Sequence, residues 1–364
     1  MTNSRETLSY LDWNATAPLR PEAAAAIAAA LAVGGNPSSV HRQGRAARRI
    51  VEDARERVAA LVGMPEAGIV FTSGGTEANH LALAGAGRPR VLVSAVEHPS
   101  VLHAVPGAEV VPVDRDGIVD LDRLDAVLAA DPRPAVVSVM LANNETGVIE
   151  PIAEVVAIAR RHGALVHCDA VQAAGKLPLA GLGADLVTLS AHKLGGPMGV
   201  GALAIADGIE LAPLLRGGGQ ERGRRAGSEN LAGIAGFGAV AEHGDWSVVG
   251  ALRDRLEAEL GDAAVVVGAA APRLPNTSAI ALPGIAAETQ VIALDLAGVM
   301  VSAGAACSSG KVGPSHVLQA MGLPPEIAGC TIRVSLGWST SEADIARFLD
   351  AWTAFRKRVE ARAA

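Results

Sequence analysis

The stretch ADLVTLSAHKLGGPMGVGALAI, residues 184–205, decides the fold class. LVTLS (186–190) and VGALAI (200–205) are apolar runs of strand length, and between them a His–Lys pair meets a Gly/Pro loop. Short runs that are apolar throughout are typical of strands buried on both faces, in a sheet covered by helices. Upstream the pattern repeats in IVFT (69–72), RVLVSA (90–95), AVVSVM (135–140) and ALVHC (164–168). Helix-like segments such as TEANHLALAGA, LDRLDAVLAA and IAEVVAIARRH lie between them. This alternation predicts an α/β fold with a large, mostly parallel sheet over residues 15–248. After HGDWSVVG the character changes. A helix at ALRDRLEAEL, strands near 264–268, 277–281 and 331–335, and a closing helix from Ser341 to about Arg362 predict a smaller α+β unit of residues 1–14 and 249–364.

Half of the 364 residues are hydrophobic but only 2% are aromatic, so the core is built from Ala, Val, Leu and Ile. With 31 Lys and Arg against 38 Asp and Glu, the net charge of −7 argues against a general nucleic-acid binder. The apolar run from Ala23 to Gly35 is too short to span a bilayer. The segment MTNSRETLSY has no apolar signal-peptide core, and a cytoplasmic protein is expected. Cys168, Cys307 and Cys330 form no CxxC, so neither a disulfide framework nor a metal site is expected. The basic residues of HRQGRAARRIVEDARERV read most simply as a solvated helix face, which an acidic scaffold partner could also use.

In an open α/β sheet, ligands bind at the carboxyl ends of strands. Lys193 stands there, two residues after His192's neighbour Ala191 begins the loop, and a desolvated amine in that place is a nucleophile. A plain turn lysine is the alternative. In FTSGGTEANH, the residues Gly75 and Thr76 open a helix whose free N–H groups suit a phosphate, although a Thr cap alone is common. VHCDAVQAAGK ends a strand on Asp169, with Gln172 three residues on. A carboxylate there can pair with the ring nitrogen of a pyridoxal cofactor, or cap the next helix. LANNETGVIEP supplies Asn144, and VEHPS supplies His98, whose imidazole could stack on an aromatic ring. Together these residues fall at the ends of five successive strands. SAGAACSSGKVG (302–313) sets Cys307 among small residues, where a packing role for the sulfur is hard to see.

As a set these motifs resemble the cysteine desulfurases of the class V aminotransferase family, enzymes with the fold of type I pyridoxal phosphate (PLP) transferases. The resemblance runs from YLDWNATAPLRP through FTSGGTEAN, NNETGVIEPI, HCDAVQAAGK, SAHKLGGPMGVGAL, GGGQERGRRAGSEN, GAACSSG and PSHVL to IRVSLG. GGGQERGRR and ACSS make it specific, and the spacing from Cys307 to GPSHVL resembles group I, the NifS/IscS-like type. It implies that Lys193 forms the Schiff base, that Gly75, Thr76, Ser190 and His192 hold the phosphate, and that His98 stacks on the ring. Asp169 would pair with the ring nitrogen and keep it protonated, Gln172 would bond the phenolic oxygen, and Asn144 and Arg333 would bind the substrate carboxylate. A homodimer is implied, with Ser228 reaching the partner's phosphate. L-cysteine would become L-alanine while Cys307 takes the sulfur as a persulfide, for iron–sulfur cluster assembly or other thiolation.

The chain departs from the family pattern at Trp13, Ala17, Ser228 and SLGWST, and it ends soon after its last helix, where group I members carry a longer tail. The acceptor protein that receives the sulfur is therefore open. Selenocysteine lysis, β-elimination or transamination on the same scaffold are rival readings, as is a non-catalytic sulfur-relay subunit that kept the fold. A Rossmann-type nucleotide binder is set aside, since no GxGxxG follows the first strand.

Overall fold

The computed structural model describes residues 8–304 and 315–363. The chain begins with β1 (Ser9–Tyr10), α1 (Pro21–Val33) and α2 (Arg42–Val62). There follow β2 (Ile69–Thr72), α3 (Gly75–Gly85), β3 (Arg90–Ser94), α4 (Pro99–Leu102), β4 (Glu109–Val111), α5 (Leu121–Ala130) and β5 (Ala135–Ser138). The alternation closes with α6 (Ile152–Arg161), β6 (Leu165–Asp169), β7 (Leu186–Ser190), β8 (Gly201–Ile205) and α7 (Leu231–Val240). Beyond them lie α8 (Ser247–Leu260), β9 (Val265–Val266), β10 (Thr277–Ala281), α9 (Ala287–Asp295), β11 (Val299–Met300) and β12 (Ser302–Ala303). The last elements are α10 (His316–Ala320), α11 (Pro325–Ala328), β13 (Thr331–Ser335) and α12 (Glu342–Ala363).

Seven strands form one sheet in the order β2-β8-β7-β6-β5-β3-β4, and β8 alone runs against its neighbours. The carboxyl ends of β2, β3, β5, β6 and β7 therefore share one edge, and the amino end of β8 joins them. There Gly201 pairs with both Thr72 and Ser190. A Cβ on Gly201 would lie 2.6 Å from the carbonyl carbon of Gly74 and 2.7 Å from Leu189 O. Only glycine lets the Gly74–Gly75 turn pack that closely on the end of β7, which brings the start of α3 beside Ser190 and His192.

β4 lies outside the sequence expectation. It is a three-residue edge strand, with Val110 60% exposed, so it gives no apolar run to read. Arg90 ties it in, with Nε and Nη2 on the two oxygens of Glu109 at 2.8 and 2.9 Å. β1, β11 and β12 have two residues each, too short for a periodic signal, while the strand expected near 264–268 is present as the two-residue β9.

The second sheet has the order β12-β13-β10-β9 and packs on α8, α9 and α12 around Leu256, Ile280, Ile332, Phe348 and Trp352. Leu11 belongs to this core, because β1 pairs in parallel with β11 and Asp12 bridges to Ser335.

Most arginines of α2 face solvent as expected, but Arg55 does not. Its Nη1 and Nη2 meet the Glu221 carboxylate at 2.8 and 3.1 Å, and Nη1 also donates to Ile69 O at 2.7 Å. Glu221 and Arg222 hold left-handed backbone at φ 46° and 56°, a conformation costly for residues with a Cβ. The buried ion pair, with Phe71 N donating to Glu221 at 3.0 Å, offsets that strain. Removing Arg55 leaves a buried carboxylate without its cation, so Arg55→Ala is expected to destabilise the fold by about 3–5 kcal/mol, measured from denaturant midpoints.

Candidate active site

Lys193 ends a single 3-10 turn, Ala191–Lys193, that follows β7 directly. Its Nζ donates to Asn14 O at 2.5 Å and Ala15 O at 2.8 Å. Behind it Lys176 donates to Gln172 O at 2.6 Å. That residue is only half-buried as a whole, but enclosure of its ammonium end and the charge of Lys193 take its pKa down to about 7. The pattern QAAGK gave no sign of this second amine.

Asp169 closes β6 with its carboxylate fixed by Asn79 Nδ2 at 2.8 Å and Val171 N at 2.9 Å. The bond from Val171 closes a local turn; no helix follows β6, so Asp169 is not the helix cap that the sequence also allowed. Asn79, which motif reading left unassigned, sits on the inner face of α3. Its amide also donates to Ser100 Oγ at 2.9 Å. Ser100 in turn lies 2.7 Å from His98 Nδ1, and its own N–H donates to that nitrogen at 3.1 Å. Nδ1 is thus an acceptor, and the neutral imidazole carries its hydrogen on Nε2. Burial lowers the His98 pKa, against the pull of Asp169 and with the push of Lys193.

Two further imidazoles flank the site. His192 Nδ1 lies 3.2 Å from Thr16 Oγ1, and burial together with Lys193 brings its pKa to about 4. His167 lies wholly buried under Asp169, between Ser138 Oγ at 2.8 Å and Thr188 Oγ1 at 3.0 Å, and burial again brings it to about 4. Glu97 is also fully buried, with Met140 N donating to Oε1 at 2.6 Å. Burial, then the charges of Asp169 and Glu150, raise its pKa well above the ordinary carboxyl range.

Gly75, Thr76, His98, Asn144, Asp169, Gln172, Ser190, His192, Lys193 and Arg333 all line one cavity of about 230 Å³. Arg333 reaches it from the centre of β13 and is already engaged, with Nη2 on Asp12 Oδ1 at 2.7 Å and Nη1 on Asn144 O at 3.1 Å. Asp12 was not singled out in the sequence. Ser228 is not brought to this cavity. It is exposed and lines a separate hollow with Glu221, Arg225 and Asn230. Cys307 lies outside the described residues. Among the described residues, no group of three or more His, Cys, Asp or Glu is placed to hold a metal ion.

The donors fit a phosphorylated pyridine aldehyde. No side chain caps the start of α3, which leaves its first N–H groups for an anion beside Ser190 and His192. A Cβ on Gly75 would crowd Val171 Cγ2 at 3.1 Å, so the cavity floor is held open there. Asp169 supplies a carboxylate for a cationic ring nitrogen, and Lys193 an amine for the aldehyde. Gln172 Oε1, Asn79 Oδ1 and Arg333 Nε are buried without a hydrogen-bond partner, and all three residues line this cavity.

Residues 9–348 match the family Aminotransferase class-V. A cysteine desulfurase of Cereibacter sphaeroides is 46% identical over 364 aligned residues, covering 94% of each chain. The cysteine desulfurase IscS of Dictyoglomus turgidum is 41% identical, covering 94% of this chain and 92% of its own. Among solved structures, a NifS-like protein from Rickettsia africae superposes with a TM-score of 0.88 at 34% identity, over 96% of this chain and 100% of the other.

Because burial holds His167 and His192 near pKa 4, both are expected to stay neutral at pH 6. Nitrogen-15 NMR of the imidazoles, recorded on the protein without added cofactor, checks this; a protonated imidazole signal from either residue at pH 6 contradicts it.

Proposed function

The chain belongs to the class V aminotransferase family, and on that premise we propose that it is a PLP-dependent cysteine desulfurase of the NifS/IscS-like kind. It converts L-cysteine to L-alanine and passes the sulfur to its own cysteine. The observation that carries this reading is the convergence of Lys193, Asp169, His98 and the uncapped start of α3 on one cavity.

Bound there, the cofactor supplies an electron sink conjugated with the substrate's amino group. Lys193 Nζ would be the amine that holds the cofactor and, as a free amine, the base for the substrate's Cα proton. Asp169, held by Asn79 and Val171, keeps a proton on the ring nitrogen by its negative charge. Gln172 would hydrogen-bond the phenolic oxygen, and His98, with its hydrogen on Nε2, would stack on the ring. The start of α3, Ser190 and His192 take the phosphate. The N–H groups and dipole at the start of α3 would offset part of the phosphate charge. Arg333 and Asn144 bind the substrate carboxylate, with Asp12 aligning the guanidinium.

In this reading the Cys307 thiolate attacks the substrate sulfur, the carbon–sulfur bond breaks, and the sulfur stays on Cys307 as a persulfide. A protein acceptor for cluster assembly or thiolation then takes it. Ser228 lies away from the cavity of its own chain, which supports a homodimer in which it completes the partner's phosphate site. Residues 15–248 form the cofactor-carrying unit, and residues 1–14 with 249–364 the smaller one; two separate buried clusters, with Leu11 in the second, support this division. No helix among the described residues is long and apolar enough to cross a membrane, and a cytoplasmic enzyme fits that.

Given PLP, a thiol reductant and L-cysteine, the purified protein is expected to release alanine and sulfide in equal amounts, and Cys307→Ala to release neither. Pyruvate in place of alanine, unchanged in the variant, would mean β-elimination instead. Arg333→Lys replaces a planar fork with a point charge, so KM for cysteine is expected to rise roughly tenfold with kcat less affected, read from initial rates.

A further inference from the structure

Glu145 has no part in the roles above, yet two distant pieces of chain close on one of its oxygens. Ser315 Oγ donates to Glu145 Oε2 at 2.6 Å. The same Oγ accepts from Leu318 N at 3.2 Å as the cap of α10, so its hydrogen is the one directed at the carboxyl. From the other side, a Cβ on Gly304 would stand 2.7 Å from Oε2 and 4.0 Å from Ser315 Cβ. Gly304 is not in the left-handed region, so room for the carboxyl, rather than backbone freedom, explains the glycine. Gly304 and Ser315 are the described residues that bracket 305–314, the segment containing Cys307.

Glu145 is itself firmly held. Its N–H donates to Asn143 Oδ1 at 2.8 Å, and the residue is 5% exposed. The preceding carbonyl, Asn144 O, accepts from Arg333 Nη1 and from Asn14 Nδ2, both on the cavity wall. β12 arrives from the same side, since Ser302 pairs with Arg333 in the register of β13.

We propose that Glu145 is a positioning residue, the anchor that holds Ser315 by a hydrogen bond and gives Gly304 its packing partner beside the Asn144–Arg333 wall. The inference rests on the desulfurase reading only for its consequence in sulfur transfer. Arg333, from β13, is the charged group that faces Glu145, and Arg333 is itself paired with Asp12. Gly304 and Ser315 carry no charge, and His316 points its Nε2 elsewhere, to Glu97 O at 2.8 Å. Burial raises Glu145 to about pKa 7 against the Ser315 bond and the Arg333 charge. The anchor therefore does not depend on a permanent charge, and an amide with an acceptor oxygen can take its place.

The test compares Glu145→Ala, Glu145→Gln and Ser315→Ala with the parent protein in two readouts. The first is the rate at which iodoacetamide labels Cys307, followed by mass spectrometry; Cys168 and Cys330 are buried, which keeps the label specific. The second is alanine formation from L-cysteine in the PLP-loaded enzyme. Loss of a buried hydrogen-bonded anchor is expected to slow alanine formation roughly tenfold and to change Cys307 labelling at least about threefold in Glu145→Ala and Ser315→Ala, with Glu145→Gln restoring both. Parent-like labelling and turnover in both alanine variants would overturn the proposal, and Ser315→Ala decides it if Glu145→Ala does not fold. If no alanine forms even in the parent while the labelling pattern holds, the anchor stands and the desulfurase reading falls.

Discussion

Asn14 is the residue on which the geometry of the cavity depends. Its main-chain oxygen accepts from Lys193 Nζ and from Gln172 Nε2, both carried by the large sheet. Its main-chain N–H donates to Ser335 Oγ and its side chain joins Thr277 and Asn276, all from the second sheet. One buried residue thus satisfies donors and acceptors from both cores, and any relative movement of the two would leave several polar groups without partners at once. The cavity wall that includes Lys193, Asn144 and Arg333 is fixed to the extent that this clasp is. The Asp12–Arg333 ion pair, two residues away in the chain, reinforces it from the side of β13.

Beneath the cavity, burial sorts the titratable groups into charged and neutral. Asp169 is supported by two N–H donors, from Asn79 and Val171. His167 is uncharged, burial disfavours a charge on Glu97, and His98 presents a ring whose pKa burial lowers. A carboxylate surrounded by neutral hydrogen-bonding groups is poised to pair with a cation that arrives in the cavity. The price of this arrangement is the burial of several polar side chains, which the Asn79–Ser100–His98 chain of hydrogen bonds largely satisfies.

Much of this was legible in the sequence, because strand ends in an α/β sheet are marked by where an apolar run stops. Asp169 follows such a run directly, and Lys193, His98 and Thr76 stand within four residues of one. Asn14, Asp12 and Asn79 carried no such mark: the first two precede every strand of the large sheet, and the third lies one turn inside a helix. Their roles come from contacts across more than a hundred residues, or from the side of α3 that meets β6. Two departures from the family pattern, Trp13 and SLGWST, looked unrelated in sequence. In the fold they are neighbours: the Trp13 and Trp338 rings stand edge to face at 4.5 Å, and any Cβ on Gly337 would overlap the Trp13 indole. A large ring at position 13 thus requires glycine at 337, a pairing that only the register between Asp12 and Ser335 reveals.

The same reasoning explains why the cavity selects a polar ligand rather than merely an object of the right size. A buried donor or acceptor without a partner costs roughly 1–3 kcal/mol. Gln172 Oε1, Asn79 Oδ1 and Arg333 Nε are such atoms, and each belongs to a residue lining the cavity. An apolar molecule would cover Asp169 and Lys193 without offering either a partner. The arginine is the sharpest case. Asp12 and Asn144 O engage one N–H on each of its terminal nitrogens, which aligns the planar fork and leaves further N–H groups for an acceptor.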